Sequence, residues 1–150
     1  IGSMNNDFRC NCPITSALDI VGDKWTLVII KQMLLEGKNT FKDFSERDEA
    51  IASNILASRL KALENLKLIS KEKLPHNKKT NLYVLTEKGL GLTPTIVELT
   101  LFSDGNLRED HSSLVLDNRL EMVRENKEDA IQIIVESYKT KNWPVHLQTV

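Results

Sequence analysis

The sequence predicts a mainly α-helical protein with one small β-hairpin (α+β), in which a helix-turn-helix runs straight into a wing and further helices flank both ends. Three observations carry that prediction. Within Ile51–Glu64, Leu56, Leu60 and Leu63 recur at i, i+4 and i+7, which at about 100° per residue centres one apolar helix face, with Ile55 on its edge. The stretches Asn65–Leu74 and Asn81–Thr86 alternate apolar and charged residues around the polar tip Pro75–Thr80, the pattern of a hairpin. Upstream, Thr40-Phe41-Lys42-Asp43 has the form of a capping box, with Asp in place of Glu or Gln, and opens a short helix.

The opposite face of the Ile51–Glu64 helix collects Ser53, Asn54, Ala57, Ser58 and Lys61. Short polar side chains let a helix backbone sink into a major groove and approach base edges. Between Lys67 and Thr80 stand five lysines (Lys67, Lys71, Lys73, Lys78, Lys79) and one acid, Glu72, a net of +4 before His76 is counted. A groove-sized helix followed by a basic hairpin is the shape of a winged helix on double-stranded DNA. The same residues also suit a solvated helix face and an edge hairpin whose lysines resist aggregation.

Taken in order, Pro13 starts a helix through Val21 that buries Ile14, Leu18 and Val21 and stops at Gly22. Asp23 caps a second helix, Lys24–Glu36. Its apolar coverage by Trp25, Leu27, Val28, Ile29, Ile30, Met33 and Leu34 is too broad for a surface helix and makes it the core helix, with Trp25 as an anchor. Gly37 ends it. The capping-box helix turns Phe41 and Phe44 inward, and the charged turn Arg47–Ala50 leads to the helix with the polar face. Two helices joined by a short turn make a helix-turn-helix. Arg59 falls beside the apolar set, so it reads as pairing with an acid of the preceding helix, such as Asp43 or Glu46, or as reaching sideways to a phosphate. It does not read as a base reader.

Beyond the hairpin, Leu90–Phe102 forms a helix with Pro94 kinking or restarting its first turns, and Asp104-Gly105 breaks it. Ile96, Val97, Leu99, Leu101 and Phe102 give it more apolar surface than a small winged helix needs, so part of it meets a second subunit. Leu114–Val123 and Ala130–Tyr138 read as two amphipathic helices, the second capped by Asn126 and Asp129, before a loose terminus. The organisation is then an N-terminal arm at 1–12, a winged-helix DNA-binding domain with dimerisation helices at 13–106, and a helical extension at 107–150. Ile1-Gly2-Ser3 reads as a cloning scar before a natural start at Met4.

The 150 residues carry 20 Lys/Arg and 21 Asp/Glu, a net charge of −1. That sum hides a division: residues 20–90 carry 13 bases and 9 acids, while residues 91–150 carry 6 and 10. Nucleic-acid binding responds to the local basic patch, and the acidic tail stays away from phosphate. No apolar run approaches the roughly 20 residues of a membrane span, and no signal peptide is visible, so a cytoplasmic location is expected. No glycine-rich phosphate loop, nucleophile elbow or His-Glu pair at metal spacing appears, so no catalytic residue and no cofactor is expected. Cys10 and Cys12, with His76, His111 and His146 far away, do not meet zinc-ligand spacing, and no metal is expected.

Cys12-Pro13-Ile14, Leu18-Asp19, Gly22-Asp23-Lys24-Trp25-Thr26-Leu27, Phe41-Lys42-Asp43-Phe44, Ile55–Glu64, Leu68-Ile69 and Tyr83–Gly89 together resemble the HxlR-type winged-helix transcriptional regulators, a bacterial group related to MarR. The resemblance runs from about Arg9 to Phe102. It implies a homodimer joined through the first helix and the helix after the wing, reading half-sites about one helical turn apart, or a multiple of that. By position it places Ser53, Asn54, Ala57, Ser58 and Lys61 on the recognition helix and Lys78 and Lys79 at the wing tip. It also places Thr40 and Lys42 at a helix start, where free N–H groups favour phosphate. Affinity would come from Lys42, Lys71, Lys73, Lys78 and Lys79. Specificity would come from Asn54, Ser58 and Lys61, with Asn54 matched to adenine and Lys61 to guanine.

This chain departs from the pattern at the wing tip, where His76-Asn77-Lys78-Lys79 stands in place of Pro and Arg, and at Ala52, where the helix cap is usually Ser or Thr. Cys12 matches a cysteine that senses redox state in some of these regulators. A helix N-terminus with Arg9 nearby lowers a thiol pKa, although the same cysteine can simply pack at the dimer interface. Cys10 is an extra thiol that either resolves a sulfenic acid between subunits or is inert, and a Cys10–Cys12 disulfide is strained by its closeness in sequence. Two rival readings remain from the residues: a winged helix used as a protein-interaction module, given the even charge of Arg59 and Lys61 against Glu64, and a sensor holding a small-molecule effector between the dimer helices and the tail.

Overall fold

Eleven apolar-rich residues between a capped start and a left-handed stop make the helix on which the first half of the chain is built. The computed structural model describes residues 8–46, 49–74, 76–115 and 118–148. In it α2 spans Thr26–Glu36, after α1 at Pro13–Val21. Asp23 accepts the backbone N–H groups of Trp25 and Thr26 at 3.0 Å each and the Thr26 hydroxyl, satisfying the free donors of the helix start. Ile29, Ile30, Met33 and Leu34 are buried, while Trp25 is half-buried under the Lys24 ammonium, 5.1 Å from its ring centroid. Gly37 ends α2 at φ 71°, a backbone region that a Cβ disfavours.

The capping box forms in both directions. Thr40 Oγ1 accepts from Asp43 N at 3.1 Å, and the Asp43 carboxylate accepts from Thr40 N at 3.3 Å and Asn39 N at 3.2 Å. It opens α3, Phe41–Ser45, which packs on α4, Ser53–Asn65. Leu56, Leu60 and Leu63 of α4 are buried, as their spacing predicts. Burying each such leucine contributes about 1.5–3 kcal/mol. The helix ends in a Schellman motif: Leu68 N bonds Leu63 O at 2.9 Å and Lys67 N bonds Glu64 O at 3.0 Å. Lys67 holds the left-handed position, at φ 64°.

The hairpin pairs β1, Ile69–Leu74, antiparallel with β2, Asn77–Leu85, in the register Ile69↔Leu85 through Lys73↔Asn81, then Leu74↔Asn77. The shift between Lys73 and Leu74 leaves Lys78, Lys79 and Thr80 as a bulge in β2. The expected tip is therefore narrower than Pro75–Thr80, because Asn77 already pairs; Pro75 lies outside the described residues. Tyr83 N bonds Asn39 O at 2.8 Å and its ring lies 6.3 Å from that of Phe44, tying β2 to the α2–α3 connection.

Contacts divide the chain into two units, through Thr86 and from Glu87. The second holds α5, Glu87–Leu90; α6, Thr93–Asn106; α7, Leu120–Glu125; α8, Lys127–Asn142; and α9, Val145–Gln148. α8 packs on both α6 and α7 and buries Ala130, Ile134 and Tyr138. Asn126 accepts Asp129 N at 3.1 Å and so caps α8, with Asp129 supplying the donor. Pro94 restarts rather than kinks the chain, sitting in the first turn of α6 where its missing N–H costs nothing.

Several expectations are corrected. Ile14 and Leu18 are 71% and 51% exposed, not buried, because α1 has an apolar stripe that this chain alone does not cover. Phe41 is 38% exposed, since a helix of five residues offers one inward position and Phe44 fills it. Asp104-Gly105 does not break α6, which runs to Asn106; the Asp104 carboxylate is taken by Arg108 at 2.5 Å and Arg124 at 2.7 Å and is not left to compete with the backbone. Leu114, Val115, Asn118 and Arg119 are not helical and α7 begins only at Leu120, the exposed Val115 finding no face to pack on; Leu116 and Asp117 lie outside the described residues. Residues 139–142 continue α8 instead of fraying, with Lys139 set over the Trp143 ring at 4.8 Å. The scar at Ile1–Ser3, the start at Met4, and Arg47 and Asp48 of the charged turn lie outside the described residues.

Candidate nucleic-acid interface

Burying Leu56, Leu60 and Leu63 fixes the rotation of α4, and that rotation decides which side chains face outward. Ser53, Asn54, Ala57, Ser58 and Lys61 are all exposed, as the helical period requires. Ala52 offers no side-chain acceptor at the N-cap and the first turn holds no acid. Neither the N-cap nor the first turn of α4 thus supplies a side chain that compensates the positive end of the helix dipole, and such an end favours a phosphate.

α3 is less open to phosphate than its sequence suggests. The capping box already occupies the N–H groups of Asn39, Thr40 and Asp43, and Thr40 is half-buried. An anion at this end would meet the exposed Lys42 side chain more readily than the backbone donors.

On the wing, Lys71, Lys73, Lys78 and Lys79 are exposed. Lys71 Nζ lies 3.7 Å from Glu64 at the end of α4, so one of the four cations is drawn back toward that helix. Asn77 braces the bulge at both ends: its side-chain oxygen accepts Lys79 N at 3.1 Å and its amide donates to Thr80 Oγ1 at 3.0 Å. At the wing's base, the Thr86 hydroxyl donates to Lys67 O at 2.6 Å and Leu68 O at 3.1 Å, closing the turn between α4 and β1.

Arg59 does not reach Asp43 or Glu46. Its Nη1 lies 3.7 Å from Asp23 Oδ1, and Nη2 donates to Ser58 Oγ at 3.3 Å. Asp23 is distant in sequence but stands at the start of α2, so nearness along the chain does not reveal the pair. A second clamp was also hidden in the sequence. Glu49 accepts from Lys31 at 2.6 Å and from Gln32 at 2.7 Å, fastening the approach to α4 onto α2. Burial alone would raise the Glu49 carboxyl, but the hydrogen bonds from Lys31 and Gln32 outweigh it and hold it below the usual range.

Both cysteines are free and exposed. Cys12 is the N-cap of α1, and its thiol is lowered by the backbone N–H of Thr15, then by the Thr15 side chain and the Ile14 N–H. Arg9 is not the cause: it donates from Nε at 2.5 Å and from its backbone at 3.1 Å to Asp19. Among the described residues no group of three or more His, Cys, Asp or Glu is arranged to hold a metal ion. No helix of the described residues is long and apolar enough to cross a membrane.

The model of the HxlR-like helix-turn-helix family matches residues 20–111. The HTH-type transcriptional regulator YodB of Bacillus subtilis is 34% identical over 94 residues, 62% of this chain and 83% of that protein. Its solved reduced form aligns with a TM-score of 0.53 at 32% identity, over 65% of this chain and 95% of that one. The reduced form of the redox regulator HypR aligns with a TM-score of 0.58 at 26% identity, over 67% and 99%.

Proposed function

This chain belongs to the HxlR-like helix-turn-helix family of transcriptional regulators, and from that premise we propose that it binds a palindromic operator as a homodimer and that Cys12 adjusts that binding. The observation that carries the reading is the two-sidedness of α4. One face is sealed by three leucines, while the other presents Ser53, Asn54, Ala57, Ser58 and Lys61 to solvent beside a lysine-bearing wing. Asn54, Ser58 and Lys61 read base edges. Lys42, Lys71, Lys73, Lys78 and Lys79 meet phosphates, and Thr40 shapes the turn that presents Lys42.

The dimer is supported by two apolar stripes. α1 exposes Ile14 and Leu18, and α6 exposes Leu99 and Phe102 at 49% and 56%. Each stripe meets the partner copy, so that residues 13–106 bind DNA and dimerise while 107–150 extend the dimerising part. The chain works in the cytoplasm by binding, not by catalysis. HypR is described as a redox regulator, and the accessible, lowered thiol of Cys12 is the group here that suits such a signal.

Fluorescence-anisotropy titration of the reduced protein tests this, using the DNA upstream of its own gene and a scrambled duplex across a salt series. Tight binding with a preference above roughly a thousandfold is expected. Weak binding, equal on both duplexes and flat with salt, overturns it.

A further inference from the structure

We propose that Cys10 and Cys12 are one redox couple: the Cys12 thiolate takes the oxidant, and Cys10 of the same chain then closes on it as a reversible disulfide within the N-terminal arm. This rests on the reading of Cys12 as the reacting thiol and adds the residue that resolves it. Cys10 and Cys12 are the two cysteines of this sequence.

The arm is folded back along α1. Ser16 donates its backbone N–H to Cys12 O at 2.9 Å and its hydroxyl to Cys10 O at 3.3 Å, so one residue of the first turn holds both cysteine carbonyls. Arg9 is fastened further along the helix by Asp19. The backbone bends at residues 9–11. Two Cα–Cα steps of about 3.8 Å hold Cys10 and Cys12 to a span of at most about 7.6 Å, and a bend in the backbone shortens such a span toward the roughly 4.4–6.8 Å that a disulfide bridges. Both thiols are open to solvent, and the Ile14 and Thr15 N–H groups favour the Cys12 thiolate.

A disulfide across one intervening residue is tight, and a strained, exposed disulfide is the easily reduced kind that serves as a signal. A partner thiol tethered by one residue is also present at very high effective concentration, which favours closure within the chain over linkage between copies. Closing the ring must move residues 10–12 relative to the first turn of α1, which loosens the Ser16–Cys10 bond. That helix carries Ile14 and Leu18, so the strain is delivered to the proposed dimer face.

The chemistry balances with a hydroperoxide as oxidant. The Cys12 thiolate attacks the outer peroxide oxygen, the O–O bond breaks, and Cys12 becomes a sulfenic acid as an alkoxide (hydroxide, from hydrogen peroxide) leaves and takes up, through solvent, the proton that Cys12 lost on ionising, to give an alcohol or water. Cys10 then attacks Cys12 Sγ, the S–S bond forms, and the sulfenic oxygen leaves as water with the proton Cys10 gives up. Two electrons pass from the thiols to the peroxide.

The test treats the reduced full chain with hydrogen peroxide in slight excess, with dimedone present to trap sulfenic acid. The products are read by intact mass and a non-reducing gel, for the wild type, Cys10→Ser and Cys12→Ser. In the wild type the expected product is a monomer-sized chain two hydrogens lighter, without dimedone, and restored by a thiol reductant. In Cys10→Ser the dimedone adduct becomes the main species, and in Cys12→Ser neither product forms. A wild type that accumulates the dimedone adduct while Cys10 stays alkylatable overturns the couple and leaves Cys12 as a sensor. A chain linked covalently to its copy as the main product also overturns it. A Cys12 that does not react at all sinks the redox reading itself.

Discussion

Arg59 of α4 sets its guanidinium 3.7 Å from Asp23, the same carboxylate that receives the first N–H groups of α2. One acid thus ties α4 to the start of α2 and satisfies N–H groups there. The pair is about one-third exposed on each side, so its own contribution is modest, and the cap carries most of the effect. Asp23→Ala is expected to lower stability by about 0.5–2 kcal/mol. A double-mutant cycle with Arg59→Ala should give a coupling of about 0.2–1 kcal/mol, both read from urea midpoints. Zero coupling would mean that the pair does not hold in solution.

Acid should loosen the same region. Burial opposes ionisation of Asp23, but hydrogen bonds from the Thr26 hydroxyl and the Trp25 and Thr26 N–H groups, with Arg59 beside it, leave its carboxyl below the ordinary range. Glu49 is lowered as well. A carboxyl that is more acidic when folded binds protons more readily in the unfolded chain. Its stabilisation is therefore complete above the unfolded pKa of about 4 and is lost as pH falls through the folded value. Thermal melts across this acid range should show the fall, and Asp23→Asn, Glu49→Gln should flatten it.

Base reading and phosphate contact should separate. Asn54→Ala is expected to cost about 1–3 kcal/mol and relax one base position. Lys79→Ala should weaken all sequences alike and reduce the slope of log affinity against log salt by about 0.9. Anisotropy on a set of single-base operator variants distinguishes them, and equal loss of specificity in both would contradict the division.

The apolar stripe of α1 gives a direct test of the dimer. Leu18→Glu places a charge where the proposed partner surface sits, without touching the buried Val21. Sedimentation should show a shift from dimer to monomer and a parallel loss of operator affinity, with the far-ultraviolet dichroism unchanged. An unaltered dimer would remove α1 from the interface.

Two exchanges involving glycine should both stabilise. Lys67 sits at φ 64° in the Schellman motif, a conformation that costs a residue with a Cβ roughly 1–2 kcal/mol. Lys67→Gly should recover about 1 kcal/mol. Gly105 lies inside α6 with open space where a Cβ would stand, so Gly105→Ala should add about 0.5–1 kcal/mol. Denaturant midpoints check both.

Local rules made much of this protein legible. The leucine period of α4, the reciprocal capping box at Thr40 and Asp43, the stop at Gly37 and the alternation of the hairpin each depend on near neighbours in the chain, and each stands where the residues put it. Misreadings came where local and global preferences part. Asp104-Gly105 carries a breaker's signature, yet Arg124, twenty residues on, takes the carboxylate. Ile14 and Leu18 have a core helix's period, yet period alone says that a face is apolar, not what covers it.

By itself, then, the sequence determined the class of the fold, the order of its elements and which face of α4 turns outward, because helix and strand periodicity act over a few residues. The tertiary structure alone decided that Arg59 goes to Asp23 and that Glu49 is clamped by Lys31 and Gln32. Those pairings depend on where separate elements come to rest, and charge and hydrogen-bond geometry select a partner only after packing has brought the elements together.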